Sequence, residues 1–208
     1  MSDSAKPMPR SGSQPQALYV APSRPLEIPA VLLGDLRSDH AGETGAVRIY
    51  SGILAVCRDE RVREFAQHHL STEREHLSLI EAVLAPRARS RLLPLWHIAG
   101  FLTGFLPALF GPRAVFATIR AVETFVDHHY QAQLDKIDAL MRAPDGLASG
   151  EDLGTLRALI AKCHADEIAH RDDAHERLDG APLTPWLRAW CAAVGIGSRV
   201  AVYFAVRF

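Results

Sequence analysis

Residues 71–80 read Ser-Thr-Glu73-Arg-Glu-His76-Leu-Ser-Leu-Ile, and residues 165–174 read Ala-Asp-Glu167-Ile-Ala-His170-Arg-Asp-Asp-Ala. Each stretch carries a Glu and a His three positions apart. In an α-helix that spacing puts both side chains on one face, about a turn apart, so a carboxylate oxygen and an imidazole nitrogen reach one point. That donor pair suits iron, manganese or zinc. One such match is weak evidence, because 11 Glu and 10 His in 208 residues yield roughly half a match by chance. The weight lies in finding two, each inside a long helical stretch.

Outward from these motifs the chain reads as helices punctuated by proline and glycine. The pattern predicts helices over about 29–56, 59–84, 93–110, 113–142, 151–178 and from 185 to the C-terminus. Stops fall before Pro86, at Gly111-Pro112, at Pro144-Asp145-Gly146 and at Gly180-Ala-Pro182. Period-2 alternation is scarce. The expected fold is therefore all-α: a bundle of four long helices, with a short apolar helix inserted between the second and third and a further helix at the C-terminus. Residues 1–27 repeat Pro, Ser and Gln and have no apolar core of a secretory signal. They are expected to form a disordered tail on a domain covering 28–208.

The two helices that precede the Glu-x-x-His helices each carry a Glu among apolar or small neighbours. Glu43 sits in Asp39-His40-Ala-Gly-Glu-Thr-Gly-Ala, and Glu123 in Ala-Thr-Ile-Arg-Ala-Val-Glu-Thr-Phe-Val. A charge on an apolar stripe needs a partner. Di-iron and di-manganese bundles use one Glu from each of two helices and Glu-x-x-His from each of the other two. The candidate ligands are thus Glu43, Glu73, His76, Glu123, Glu167 and His170. Four carboxylates and two divalent ions sum to zero, whereas four buried carboxylates alone would repel and be desolvated at high cost. There is also an internal echo: Glu43-Thr44 precedes Tyr50 at the offset at which Glu123-Thr124 precedes Tyr130. Gly42 and Gly45 weaken a helix and are expected to admit a neighbouring helix or a substrate.

Composition narrows the function classes. The formal net charge of −1 offers no basic excess for nucleic acid. Near-zero charge also favours self-association, so a homo-oligomer is expected. Cys57, Cys163 and Cys191 are odd in number and form no CxxC, which points to thiols in a reducing compartment. Pro94 to Gly111 carries no Asp, Glu, Lys or Arg. Trp96 and the nearby Arg87, Arg89 and Arg91 suit anionic headgroups, so this segment is expected to lie in a membrane interface.

The stretch Arg37-Ser-Asp39-His40-Ala-Gly-Glu43-Thr-Gly-Ala-Val-Arg48-Ile-Tyr50 resembles the first helix of the demethoxyubiquinone hydroxylases of ubiquinone biosynthesis. So do Glu73-Arg-Glu-His76, Leu93-Pro-Leu-Trp96, Ala121-Val-Glu123 with His128-His129-Tyr130, Asp166-Glu167-Ile-Ala-His170 and Ser198-Arg-Val-Ala-Val-Tyr203. The resemblance covers about residues 35–208. Thr44 stands where the family pattern suggests Tyr, and the connector around 142–152 is longer than in some members. The resemblance implies a ferritin-like di-iron monooxygenase. It would use O2 to hydroxylate the ring of a demethoxyquinol whose polyprenyl tail stays in the bilayer. NADH is the implied electron source. His129 and Tyr130 are implied in substrate contact or electron transfer.

The same resemblance places the protein peripherally on the cytoplasmic face of the inner membrane, or on the matrix side of the mitochondrial one, with a lipid-binding protein of the pathway as a partner. Asp39 and His40 are expected to orient metal ligands. His69 is read as packing or solvent contact, and His68, His97, His164 and His175 are unassigned. The competing reading of the same ligands is a ferritin-like iron-binding protein with ferroxidase activity.

Overall fold

The structure, a computed structural model, describes residues 24–143 and 149–208. Among them lie six α-helices and no strand: α1 Ala30–Val56, α2 Glu60–Val83, α3 Leu93–Ala108, α4 Pro112–Arg142, α5 Gly150–Glu176 and α6 Pro185–Ala205. The expected class and helix order hold, with ends shifted by up to three residues. A 3-10 turn at Pro86–Ala88 carries the chain from α2 towards α3. The expected tail lies outside the described residues up to position 23, as do residues 144–148 of the connector after α4. Residues 24–27 are held against the start of α5. Arg24 pairs with Asp152 at 2.6 Å, and the Glu27 amide donates to the same carboxylate at 3.1 Å.

Local chemistry sets the boundaries. Asp59 caps α2 by accepting from the Val62 amide, and Ser149 caps α5 by accepting from the Asp152 amide. Gly111 adopts φ 95°, a conformation that L side chains rarely take, and Pro112 then starts α4.

The core has two apolar halves. One is built around Ile53, Val62, Phe65, Phe116 and Ile119, the other around Leu36, Ile80, Ile137, Leu156 and Leu159. Along every long helix the candidate ligands fall between these halves. On α2, Phe65 and Leu70 belong to the first half and Ile80 and Leu84 to the second, with Glu73 and His76 between them. The polar layer is therefore sealed on both sides by side chains that each contribute roughly 1.5–3 kcal/mol on burial.

Helix α3 packs closely along α1. A Cβ on Gly100 would lie 2.4 Å from the Gly45 carbonyl oxygen, and one on Gly104 would lie 1.9 Å from that of Ile49. Gly52 answers from α1, where a Cβ would meet the Phe101 carbonyl oxygen at 2.2 Å. Only hydrogen fits at these positions. The opposite side of α3 leaves Leu95, Ile98 and Leu102 exposed, and α6 leaves Ile196, Val200 and Tyr203 exposed. No helix among the described residues is long and apolar enough to cross a membrane. Trp96, expected at a headgroup surface, is half-buried and lines the cavity between α1, α3, α4 and α6 instead. Arg89 is engaged with Glu81 at 2.7 Å.

Candidate metal centre

All six candidate ligands are buried at the middle of the bundle. They form two overlapping groups: Glu43, Glu73, His76 and Glu167 in one, and Glu73, Glu123, Glu167 and His170 in the other. Within each group the donor atoms lie within 4.8 Å of one another. Glu73 and Glu167 belong to both. The spacing of the motifs did not distinguish shared from unshared carboxylates. The folded arrangement does, because α2 and α5 face each other across the layer.

The ring nitrogens converge as the helical spacing predicts. His76 Nδ1 lies 3.0 Å from Glu167 Oε1 and 3.7 Å from Glu43 Oε2. His170 Nδ1 lies 3.1 Å from Glu73 Oε1 and 3.3 Å from Glu167 Oε2. Several donors remain unanswered. Both oxygens of Glu73, Oε2 of Glu43 and Nδ1 of His170 are buried with no hydrogen-bond partner among the described residues. Buried acceptors are almost always satisfied. The orphaned atoms are the ones two cations would take up, so the donor set fits a pair of metal ions.

Electrostatics show how the side chains accommodate one another with protons alone. Burial pushes the Glu73 carboxyl well above the usual carboxylate range, and the charges of Glu167 and Glu43 push it further. Burial together with Glu167 and Glu73 does the same to Glu123. Glu167 goes the other way. Burial would raise it, but the adjacent His170 and His76 rings more than offset that and hold it low. His76 and His170 are both raised despite burial, by their carboxylate partners. Protons thus compete for positions that metal would need free.

Outside the ligands, His76 Nε2 donates to Asp166 Oδ2 at 3.0 Å, which turns Nδ1 inward. Lys162 pairs with the same Asp166 oxygen at 3.0 Å. His69 is buried rather than in solvent. Its Nε2 lies 2.9 Å from Asp173 Oδ2, and its ring packs against His170 at 4.1 Å between centroids. Burial lowers its pKa to about 4. Sequence reasoning had no signal for Asp166 or Asp173 as partners, although each lies on α5 within three positions of a ligand.

On the open side the tyrosine echo becomes a contact. The Tyr130 hydroxyl donates to Glu43 Oε1 across from α4 to α1. His129 does not approach the ligands. Its Nε2 lies 3.1 Å from Asp39 Oδ1 and 3.1 Å from Ser38 Oγ. Of the two residues expected to orient ligands, Asp39 serves His129, and His40 turns outward to Glu81 at 3.3 Å. A cavity of about 390 Å³ opens beside the centre, with Glu43, Glu123, Glu167, His129 and Tyr130 in its wall. A Cβ on Gly42 or Gly45 would meet nothing within 4 Å, and both residues line this space. The rest is mostly apolar wall from α1, α3, α4 and α6. The contribution of α6, through Trp190, Val194 and Val202, went unnoticed in the sequence.

The chain is similar to known proteins over most of its length. Residues 31–205 match the family described as ubiquinone biosynthesis protein COQ7. The chain is 37% identical over 183 residues to the 3-demethoxyubiquinol 3-hydroxylase of Rhodospirillum rubrum, covering 86% of this chain and 80% of that one. It is 34% identical over 174 residues to the human NADPH-dependent 3-demethoxyubiquinone 3-hydroxylase, mitochondrial, covering 83% and 76%. The corresponding Dictyostelium discoideum protein, of the same printed name, is 32% identical over 174 residues, covering 83% and 75%. The match spans all six helices, the buried Glu and His layer and the apolar cavity beside it, and the chain belongs to the COQ7 family of ubiquinone biosynthesis proteins.

Proposed function

We propose that this enzyme is a di-iron 3-demethoxyubiquinol 3-hydroxylase whose ligands are Glu43, Glu73, His76, Glu123, Glu167 and His170. The observation that carries the reading is the pair of overlapping four-donor groups opening onto an apolar cavity. Glu73 and Glu167 would each serve both irons. Glu43 with His76 and Glu123 with His170 would complete one iron each. Bound iron would supply the electron-transfer chemistry by which O2 is split between the ring and water, with two electrons from a reductant. The relatives of human and slime-mould origin carry NADPH in their names, where the resemblance implied NADH; on either reading a pyridine nucleotide would be the electron source.

The chain's own residues would do the rest. The apolar wall admits a ring and excludes bulk water, which strengthens each polar contact inside. The Tyr130 hydroxyl, bonded to Glu43, sits between cavity and centre and would carry a proton between them. His129 would face the ring from the side away from the ligands. The exposed apolar faces of α3 and α6 flank the cavity. They would dip into a bilayer without spanning it, so that a polyprenyl tail stays in lipid while the ring enters the protein. Such a protein would be peripheral, on the inner membrane's cytoplasmic or matrix side, and a lipid-binding pathway protein and a second copy of the chain would be its partners.

Cells whose only copy carries Glu123→Ala should accumulate the demethoxy precursor and lack ubiquinone. Normal ubiquinone in that strain, with no second hydroxylase present, contradicts the proposed function even if the metal centre is real.

A further inference from the structure

Asp39 has no part in the metal centre, yet it is 3% exposed and stands in the cavity wall. Its two oxygens are treated differently. Oδ1 faces two nitrogens, His129 Nε2 at 3.1 Å and the Gln133 side-chain amide. Oδ2 is buried and has no hydrogen-bond partner among the described residues. An ionised carboxylate only accepts, and it has about four lone-pair sites to fill. Burial raises the Asp39 carboxyl above its usual range, and the His129 and Gln133 contacts on Oδ1 oppose that push. A buried acceptor left without a donor is costly, and proteins rarely keep one without use.

Elsewhere in the wall the Trp96 indole N–H is buried without a partner among the described residues, but it can only donate, to either ring form alike, and the hydroxyls are spent within their own helices. The Thr103 hydroxyl donates to the Ala99 carbonyl at 2.8 Å and that of Ser198 to the Val194 carbonyl at 3.0 Å, each within its own helix. The Ser38 hydroxyl is likewise spent on the Asp35 carbonyl at 2.7 Å. Apart from the ligands and Tyr130, Asp39 is the acid of this wall, and what it lacks is a donor.

We propose that Asp39 Oδ2 is the acceptor for a ring hydroxyl of the substrate, and that it thereby selects the reduced, quinol form over the quinone. A quinol presents O–H groups. A quinone presents carbonyl oxygens, which would face the carboxylate oxygen with no hydrogen between them. His129 and Gln133 act as positioning residues that hold Asp39 by Oδ1 and leave Oδ2 to the ligand. This inference rests on the reading of the cavity as a quinol-ring site.

The test is equilibrium binding, under argon, of one short-chain ring compound in its quinol and quinone forms. Zinc-loaded full-length protein keeps electrons from passing between metal and ring. The unaltered protein should bind the quinol about tenfold or more tightly than the quinone, the size expected for a hydrogen bond to a charged group. Asp39→Asn should abolish or reverse that preference. With its carbonyl oxygen kept by His129 and Gln133, its amide would present a donor where Oδ2 stood. A merely structural role would lower both affinities together and leave their ratio alone. Equal binding of the two forms by the unaltered protein overturns the assignment, and so does a quinol preference that survives in Asp39→Asn with zinc content unchanged. Binding of neither form would instead overturn the quinol-ring reading itself, and the Asp39 assignment with it.

Discussion

Helices α2 and α5 differ from α1 and α4 in what stands behind their ligands. On α2 and α5, each Glu-x-x-His pair is backed by charged side chains: Asp166 holds His76, Lys162 braces Asp166, and His69 with Asp173 packs behind His170. On α1 and α4 there is one Glu each, and both glutamates border the cavity. Helix α5 also lends Glu167 to that wall. If the six residues hold metal, α2 and α5 would mainly grip it, and α1 and α4 would mainly present it to the cavity.

The largest expected effect comes from the residues that both groups share. Glu73→Ala or Glu167→Ala should lose nearly all metal by elemental analysis. Glu43→Ala and Glu123→Ala should each lose about half, since each completes a single group of four donors. Glu75→Ala is the control, because Glu75 is exposed and pairs with Lys162. Equal losses from shared and unshared glutamates would break the division drawn above.

A smaller effect tests the backing. Asp166→Asn should weaken metal binding by about 10–100-fold, the usual cost of removing a ligand's orienting partner. The pH dependence sharpens this. Glu73, Glu123, His76 and His170 all have raised pKa values without metal, so protons compete with metal for these positions more strongly than ordinary carboxyl and imidazole groups would allow. Metal affinity should therefore fall as pH is lowered, by about tenfold per pH unit for each proton released. Competition titrations at several pH values read the slope. A flat profile would mean that the centre is already deprotonated.

On the presenting side, Tyr130→Phe should keep the full metal content and slow ring hydroxylation, because it removes a hydroxyl bonded to Glu43 without changing the buried ring. Unchanged turnover would leave Tyr130 as packing. The joint change of Leu95, Ile98 and Leu102 to Ser should release the protein from anionic vesicles in a sedimentation assay while metal content stays the same. Those residues are exposed and far from any ligand role. Retained vesicle binding would move the membrane contact to α6 alone.

Much of this was legible because proline and glycine end nearly every helix, and because a metal centre imposes spacings that chance seldom repeats. Glu73 with His76, and Glu167 with His170, needed only helical periodicity. Glu43 and Glu123 stood out as charges among small and apolar neighbours. What could not be read was anything set by packing between distant segments. Nothing near Asp39 in sequence announces His129, which is 90 positions away, or tells that His40 beside it turns to Glu81. Trp96 looked like an interfacial aromatic, yet the glycine contacts of α3 with α1 rotate it into the cavity wall. Helix α6 was counted as a C-terminal helix and proved to be the fourth wall, because its alternation of small and large side chains makes sense only against α1 and α4.

Two cations between α2 and α5, sharing Glu73 and Glu167, would be countable directly. The most direct measurement is an anaerobic titration of the metal-free protein with ferrous iron, followed by iron and protein quantification after desalting. Two overlapping groups of donors should saturate at two irons per chain. Saturation at one iron per chain, or no retained iron in protein that is fully folded, would contradict that shared arrangement.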